Sequence, residues 1–417
     1  MLDQIEGSRA VAGAVAACRP EVICAYPISP QTHIVEDLSV AVKTGALAPC
    51  EFINVESEFA AMSVSIGASA AGARAYTATA SQGLLYMIEA VYNAAGLGLP
   101  IVMTLANRAI GAPINIWNDH SDAMAVRDSG WIQLHAATNQ DAVDLHIQAF
   151  RLAEEVSLPV MVCMDGYILT HAVERIDLPS QGEVDAFLPP FVPRQILDPS
   201  EPVSIGAMVG PDAFAEVRYL AHAKQLLALE RIPIVASEFK EAFGRGSGGL
   251  VDPYKLDGAE TCVVAMGSVI GTIKDAIDEL SDRGIPIGLL GITAFRPFSI
   301  EAVSAALEGV ERVVVVEKAF AVGIGGILSA DVATALGHRP IRRYGVVAGL
   351  GGRPIPKASL IGLFEQAVAD ELEPLSFLDL DRSVVERELE RMRLDPRSGP
   401  AAENMLADIG IVRAGPF

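Results

Sequence analysis

Short apolar runs alternate along the chain with stretches whose apolar positions recur every three to four residues, the arrangement of parallel strands and the helices that cover them. The pattern predicts a helix over residues 7–18 and strands over 21–26, 52–55, 76–79, 100–105 and 159–164. Between them lie helical patterns through Ile34, Leu38 and Val42, over 58–72 behind a capping Ser57, and over 84–95. Residues 179–202 are rich in proline without clear periodicity and read as a long surface connector. A helix follows over 212–230, and the glycine-rich 244–249 marks a flexible boundary. The rhythm then restarts, with strands over 261–266, 286–291 and 312–317 and helices over 271–282, 300–307 and 323–336.

From Glu373 onward the character changes. The segment from Ser383 is charged and amphipathic, and Val384, Val385, Leu389, Met392 and Leu394 suit a helix lying on a partner surface or a solvated helix on the same chain. No repeat of 20–50 residues is visible.

With 417 residues, 51% of them hydrophobic, the chain has material for about two or three α/β domains. A mean hydropathy of +0.36 is high for a water-soluble chain. Every window of membrane-spanning length is broken by charge, proline or glycine, so the excess reads as buried parallel strands and subunit interfaces rather than a membrane span. The net charge of −21 repels phosphate backbones and argues against nucleic-acid binding. Cys18, Cys24, Cys50, Cys163 and Cys262 include no CxxC pair, which leaves no local spacing for zinc or an iron–sulfur cluster. Dispersed thiols and the lack of a signal-peptide pattern point to the cytoplasm.

Three stretches carry candidate chemistry. In Tyr26-Pro27-Ile28-Ser29-Pro30-Gln31-Thr32 two prolines make a rigid turn at a strand's carboxyl end, where open α/β sheets bind ligands. It reads as a site presenting Ser29 or as an ordinary capped loop. Asn54-Val55-Glu56-Ser57-Glu58 places carboxylates at a strand-to-helix junction, where the helix dipole alone accounts for them. A sharper reading has one of them hydrogen-bonding a heterocyclic nitrogen beneath a partner chain. Residues 107–130 follow a buried strand and hold Arg108, Asp119, His120, Asp122 and Arg127. Arg108, just past the strand, is placed to clamp a carboxylate with its fork of donors or to pair with an aspartate. Adjacent loop ligands such as Asp119, His120 and Asp122 more often satisfy their own loop than a metal, and no metal site is assigned.

GRGSGG over 244–249 matches GxGxxG only formally, since no clear strand precedes it and no helix follows. GxxxxGK[ST], HExxH and GxSxG are absent, which removes P-loop, zincin and nucleophile-elbow readings.

Taken in order, YPISPQT (26–32), VESEFAA (55–61), TASQGL (79–84), WNDHSDAMAVRDSGWIQ (117–133), LPVMVCMDGYILTH (158–171), MGSVIGT (266–272), ITAFRPF (292–298) and VVEKAFAVGIGG (315–326) resemble the α subunit of the pyruvate:ferredoxin oxidoreductase (2-oxoacid:ferredoxin oxidoreductase) family, across roughly residues 5–350. The resemblance implies a thiamine-diphosphate-binding, pyrimidine-type parallel-sheet domain with its connector over 1–235. A transketolase C-terminal-like α/β domain would follow over 236–371; the helical tail over 372–417 has no counterpart in the family, and its role, contact with other subunits included, stays open. It also implies the chemistry: the C2 carbanion of thiamine diphosphate attacks a 2-oxoacid, CO2 leaves, and two electrons pass singly through [4Fe-4S] clusters to ferredoxin. Coenzyme A takes the acyl group.

In that family a GDG…N motif on the β subunit grips the pyrophosphate and Mg²⁺. Met164-Asp165-Gly166 lacks it, and cluster cysteines are absent too. The resemblance therefore implies thiamine diphosphate shared with a β subunit, Mg²⁺ and clusters on partner subunits, and γ- and δ-type subunits or domains. Carried over by position, Glu58 is the catalytic glutamate that contacts N1′ of the aminopyrimidine, so that the 4′ nitrogen relays a proton. Ser29 and Arg108 bind substrate, with Ser29 standing where many relatives have threonine, and Ser81 and Gln82 line the cofactor side. Pyruvate is the expected substrate, within anaerobic metabolism. 2-Oxoglutarate, branched-chain 2-oxoacids or oxalate are alternatives, with oxalate disfavoured by the serine at 29. A transketolase-type transferase and a non-catalytic scaffold are the competing functions.

Overall fold

The structure, a computed structural model, describes residues 2–393 and 401–410; Leu394, assigned above to an amphipathic tail, lies outside them. In chain order it begins with β1 (Leu2–Glu6), α1 (Gly7–Ala17), β2 (Val22–Ala25), α2 (Thr32–Lys43), β3 (Glu51–Asn54), α3 (Glu58–Ala70), β4 (Ala75–Thr79), α4 (Ser81–Tyr86) and α5 (Ile88–Leu97). Next come β5 (Ile101–Asn107), α6 (Ser121–Ala125), β6 (Ile132–His135), α7 (Asn139–Val156), β7 (Val160–Asp165), β8 (Val173–Asp177), α8 (Gln181–Phe187) and α9 (Phe214–Phe243). The second half holds β9 (Val251–Tyr254), β10 (Thr261–Ala265), α10 (Val269–Asp282), β11 (Ile287–Ile292), β12 (Ala294–Arg296), α11 (Ile300–Ala306), β13 (Arg312–Glu317), α12 (Ile327–Leu336), β14 (Arg342–Val347), α13 (Lys357–Val368) and β15 (Leu375–Phe377). Helices α14 (Arg382–Arg391) and α15 (Ala401–Asp408) follow.

Two sheets organise these elements. The first has seven strands in the order β12-β6-β7-β5-β4-β2-β3 and is parallel except at β12. The second has six, β15-β14-β13-β10-β11-β9, parallel except at β9. Residues of β5 and β7 are buried throughout because both faces are covered, and this is why their sequences read as unbroken apolar runs. One face of the first sheet packs on α1, α2, α7 and α9, the other on α3, α4 and α5. The second sheet has its own two apolar layers. Strand β12 comes from the second half yet pairs antiparallel with β6 of the first sheet.

The structure corrects several expectations. The helix expected over 84–95 is two, α4 and α5, broken at Met87. The proline-rich connector contains α8, opened by a capping box between Ser180 and Glu183. Helix α9 starts near the expected place but runs through Pro233 to Phe243 instead of stopping near residue 230. The glycine-rich boundary is pinned: Arg245 forks onto Asp144 at 2.7 and 2.9 Å and reaches Asp177 at 3.0 Å. At Gly248 any β-carbon would stand 2.4 Å from Gln148 Oε1. In the tail, Val384 of α14 is buried while Leu389 and Met392 are exposed. Among the described residues, no helix is long and apolar enough to cross a membrane.

Candidate active site

Four neighbouring strands, β5-β4-β2-β3, end side by side, and each is followed by one of the sequence-selected residues. Ser29 follows β2, Glu58 follows β3, Ser81 and Gln82 follow β4, and Arg108 follows β5. This is the carboxyl edge of a parallel sheet, where loops and helix N-termini leave room for a ligand.

The proline turn after β2 is fixed from inside. Buried Gln31 donates from Nε2 to the carbonyls of Tyr26 (2.8 Å) and Ala78 (3.1 Å), tying the turn to β4. Arg108 Nη1 donates to the Ser29 carbonyl at 2.8 Å, so the turn's backbone already serves the arginine.

Glu58 opens α3, whose first turn is capped by Ser57 Oγ accepting from the Ala60 N–H at 3.2 Å. The side chain is only 8% exposed. Among the described residues no hydrogen bond or ion pair holds its carboxylate. It lies over the first turn of α4, and a β-carbon at Gly83 would stand 2.8 Å from Glu58 Oε1 and 2.5 Å from Thr79 Oγ1. Glycine at 83 is thus required for the glutamate to sit where it does. A nearly buried carboxylate without a protein partner is costly unless a ligand supplies the missing donor.

Ser81 adopts a left-handed backbone (φ +48°), uncommon for a residue with a β-carbon. Its N–H donates to Asp122 Oδ2 at 3.0 Å and its hydroxyl to the Ala109 carbonyl. The next residue, Gln82, receives the Ser81 hydroxyl on Oε1 and lies 3.4 Å from Arg108 Nη2. Arg108, 7% exposed, also donates from Nε to the Asn115 carbonyl at 3.1 Å. Every acceptor around this guanidinium is neutral, so its charge is left for an anion.

Asp122, read from the sequence as a loop group satisfying its own loop, organises this edge. Its carboxylate accepts from the N–H groups of Ser81, Arg108 and Ala123 and from Asn107 Nδ2, all within 3.0 Å. Complete burial pushes its pKa up to about 6, against the pull of those donors. Two neighbouring polar residues have partners of their own. Asp119 accepts from Ser121 and from the Gly351 N–H at 3.0 Å, and His120 pairs with Asp165 at 2.6 Å. These contacts tie the loop to the end of β7 and to the second half of the chain.

The second half holds this loop from behind. Asn115 Nδ2 donates to the Gly351 carbonyl at 3.1 Å, and the His120 N–H donates to the Lys318 carbonyl at 2.9 Å. Asp165, at the end of β7, is fully used by the protein. It accepts from Lys318 Nζ (2.7 Å), the Ser268 N–H (2.9 Å) and His120. Burial works against its charge, but Lys318 and His120 outweigh that and hold its carboxyl well below the usual range. Tyr26, Phe59, Tyr86, Ile114 and Trp117, which lie in or next to these loops and first helical turns, are exposed. The five cysteines are free and four are buried.

Residues 13–236 match the family described as "Pyruvate flavodoxin/ferredoxin oxidoreductase, thiamine diP-bdg", and residues 259–359 match "Pyruvate:ferredoxin oxidoreductase core domain II". The chain is 51% identical over 321 residues to pyruvate synthase subunit PorA of Methanosarcina barkeri, covering 76% of this chain and 80% of that protein. Its fold is similar to a 2-oxoglutarate:ferredoxin oxidoreductase from Magnetococcus marinus, solved with 2-oxoglutarate, coenzyme A and succinyl-CoA bound. The TM-score is 0.66 at 19% identity, over 88% of this chain and 65% of that one. A split-gene transketolase, an inactive β4 tetramer, also matches in fold, with a TM-score of 0.53 at 14% identity over 88% and 99% of the two chains.

Proposed function

The chain belongs to the pyruvate flavodoxin/ferredoxin oxidoreductase family, and on that premise we propose that the edge formed after β2, β3, β4 and β5 is its half of an active site for oxidative decarboxylation of pyruvate. The chain is the α subunit of a pyruvate:ferredoxin oxidoreductase. One observation carries the site assignment: among the described residues, a nearly buried glutamate without a partner and a nearly buried arginine without a counter-ion, joined through Gln82-Gly83, stand on the same edge.

These residues fit the pyrimidine side of thiamine diphosphate. Glu58 would accept a hydrogen bond from the ring nitrogen and hold a proton there at Oε1 or Oε2, while Gly83 leaves the space that the approach requires. Thiamine diphosphate, when bound, supplies a nucleophilic carbon and an electron sink for the decarboxylation. Arg108 would bind the substrate carboxylate, its fork already aimed by the carbonyls of Ser29 and Asn115. Ser29 contributes its hydroxyl to the same substrate, and Ser81 and Gln82 line the cofactor side.

The exposed apolar residues of these loops support a partner subunit closing over this edge and excluding water. That β-type subunit would bring the pyrophosphate motif with Mg²⁺ and cluster cysteines, neither of which this sequence contains. Coenzyme A as acyl acceptor, γ- and δ-type subunits, ferredoxin as electron acceptor and a cytoplasmic setting complete the proposal. Residues 1–235, 236–371 and 372–417 are its proposed domains.

The test is Glu58→Gln in the assembled complex, followed by pyruvate-dependent reduction of a viologen dye. Activity should fall by two orders of magnitude or more with assembly and iron content unchanged. Near-normal turnover would leave the chain a scaffold.

A further inference from the structure

Away from the pocket residues, three donors far apart in sequence meet at one place. Glu6 ends β1, His33 stands in the first turn of α2, and His171 lies in the turns after β7. One ligand atom from each falls within 4.8 Å of the others, and among the described residues this is the one grouping of three His, Cys, Asp or Glu side chains so close. His33 Nδ1 is 2.6 Å from Glu6 Oε1, and the two imidazole rings are 5.0 Å apart.

The surroundings hold these donors in place. The Tyr167 N–H donates to Thr170 Oγ1 at 2.8 Å, and that oxygen lies 2.7 Å from His171 Nδ1, which fixes the ring and leaves Nε2 outward. The Tyr167 ring packs on the same imidazole at 4.7 Å between centroids. A hydrogen-bonded far nitrogen of this kind is how ligating histidines are oriented. Partial burial and the neighbouring His33 hold the His171 imidazole below its ordinary pKa, so its lone pair is available at neutral pH. Arg9 lies 3.7 Å from the second oxygen, Glu6 Oε2, and leaves Oε1 to the histidines.

We propose that Glu6, His33 and His171 form a binding site for one divalent transition-metal ion of the zinc type. Two imidazoles and a carboxylate are a borderline donor set, suited to Zn²⁺, Co²⁺ or Ni²⁺ and unsuited to Mg²⁺ or Ca²⁺. Three protein ligands leave a fourth position for water. Binding replaces the present contact between His33 Nδ1 and Glu6 Oε1 with bonds from both atoms to the ion. The ion cross-links β1, α2 and the turns after β7. Those turns begin at Gly166, where a β-carbon would stand 2.6 Å from Pro30, so the link supports the turn that carries Ser29.

The experiment titrates the full chain, stripped by chelator and dialysed, with Zn²⁺ by calorimetry, and repeats it with Co²⁺ to read its visible spectrum. One equivalent should bind, with no thiolate charge-transfer band and a raised melting temperature. His33→Ala and His171→Ala should each weaken binding about tenfold or more, Glu6→Gln should weaken it less, and excess Mg²⁺ should not compete. If an alanine variant is unfolded by circular dichroism, the asparagine variant at that position replaces it. No saturable uptake, a cysteine-type Co²⁺ spectrum, or affinity unchanged in both histidine variants would overturn the proposal.

Discussion

Gly352 faces Trp117 so closely that a β-carbon on the glycine would stand 2.3 Å from Trp117 Cβ. Gly352 belongs to the second half, whereas Trp117 lies on the loop that follows Arg108 in the first. The turn can make this approach because Gly349, Gly351 and Gly352 all take positive φ, at 71°, 58° and 78°. One residue away, Gly351 exchanges hydrogen bonds with Asn115 and Asp119. The arginine's Nε partner, the Asn115 carbonyl, is therefore positioned from the other half of the chain.

It follows that Gly352→Ala displaces the 115–119 loop and spoils the aim of Arg108. The expected result is a pyruvate KM raised about tenfold or more with thiamine diphosphate affinity little changed, measured by steady-state kinetics and cofactor titration of the complex. Equal losses in both would mean general unfolding instead.

Arg108→Ala should cost about 100-fold or more in kcat/KM for pyruvate, the usual scale for removing a desolvated charge-assisted partner. Arg108→Lys keeps the charge but loses the fork, and should recover only part. Unchanged constants in the alanine variant would remove the carboxylate-binding role.

Gly83→Ala puts a methyl group into space used by Glu58 and Thr79. We expect a large loss of turnover with normal assembly, because the glutamate must swing away from its position over α4. Retention of most activity would show that Glu58 tolerates another position.

Asp122 makes stability and activity respond to pH in opposite senses. Its folded-state pKa of about 6 lies above the ordinary aspartate value of about 3.9. The native protein thus holds this proton more tightly than the unfolded chain, and the associated stability is lost as pH rises from about 4 through 6. Activity should instead fall as pH drops below about 6, because a protonated Asp122 has one acceptor fewer for the Ser81 and Arg108 N–H groups. Melting curves and kcat/KM profiles across pH 5–8 read both effects, and Asp122→Asn should flatten this part of the melting profile.

Much of the architecture was readable because parallel strands such as β5, β7 and β13 are continuous apolar runs between punctuated helices. Helix α7, opened by a capping box between Thr138 and Asp141, was not. Its buried face includes Asp144, His146 and Gln148, each satisfied by partners from elsewhere such as Arg245 and Thr104, so the apolar stripe is interrupted. Helix α9 was expected over 212–230, but burial of Ile232, Val235 and Phe239 carries it on through Pro233 to Phe243. For the site, the ordered motifs led to the five residues that the sheet edge gathers. They gave no hint of Asp122's four donors, nor of Asp165 and Lys318 meeting across 153 positions. Such pairings depend on the sheet order and leave no local spacing to read.

Strand β12 has a mechanical consequence. The residues just after β11 cross over and zip onto β6, stitching one half of the chain into the other's hydrogen-bonded ladder. The halves cannot swing apart like a clamshell without tearing that ladder and then the buried Asp165–Lys318 pair. Entry and exit of small molecules must therefore proceed without separation of the halves, and this chain serves as the rigid jaw.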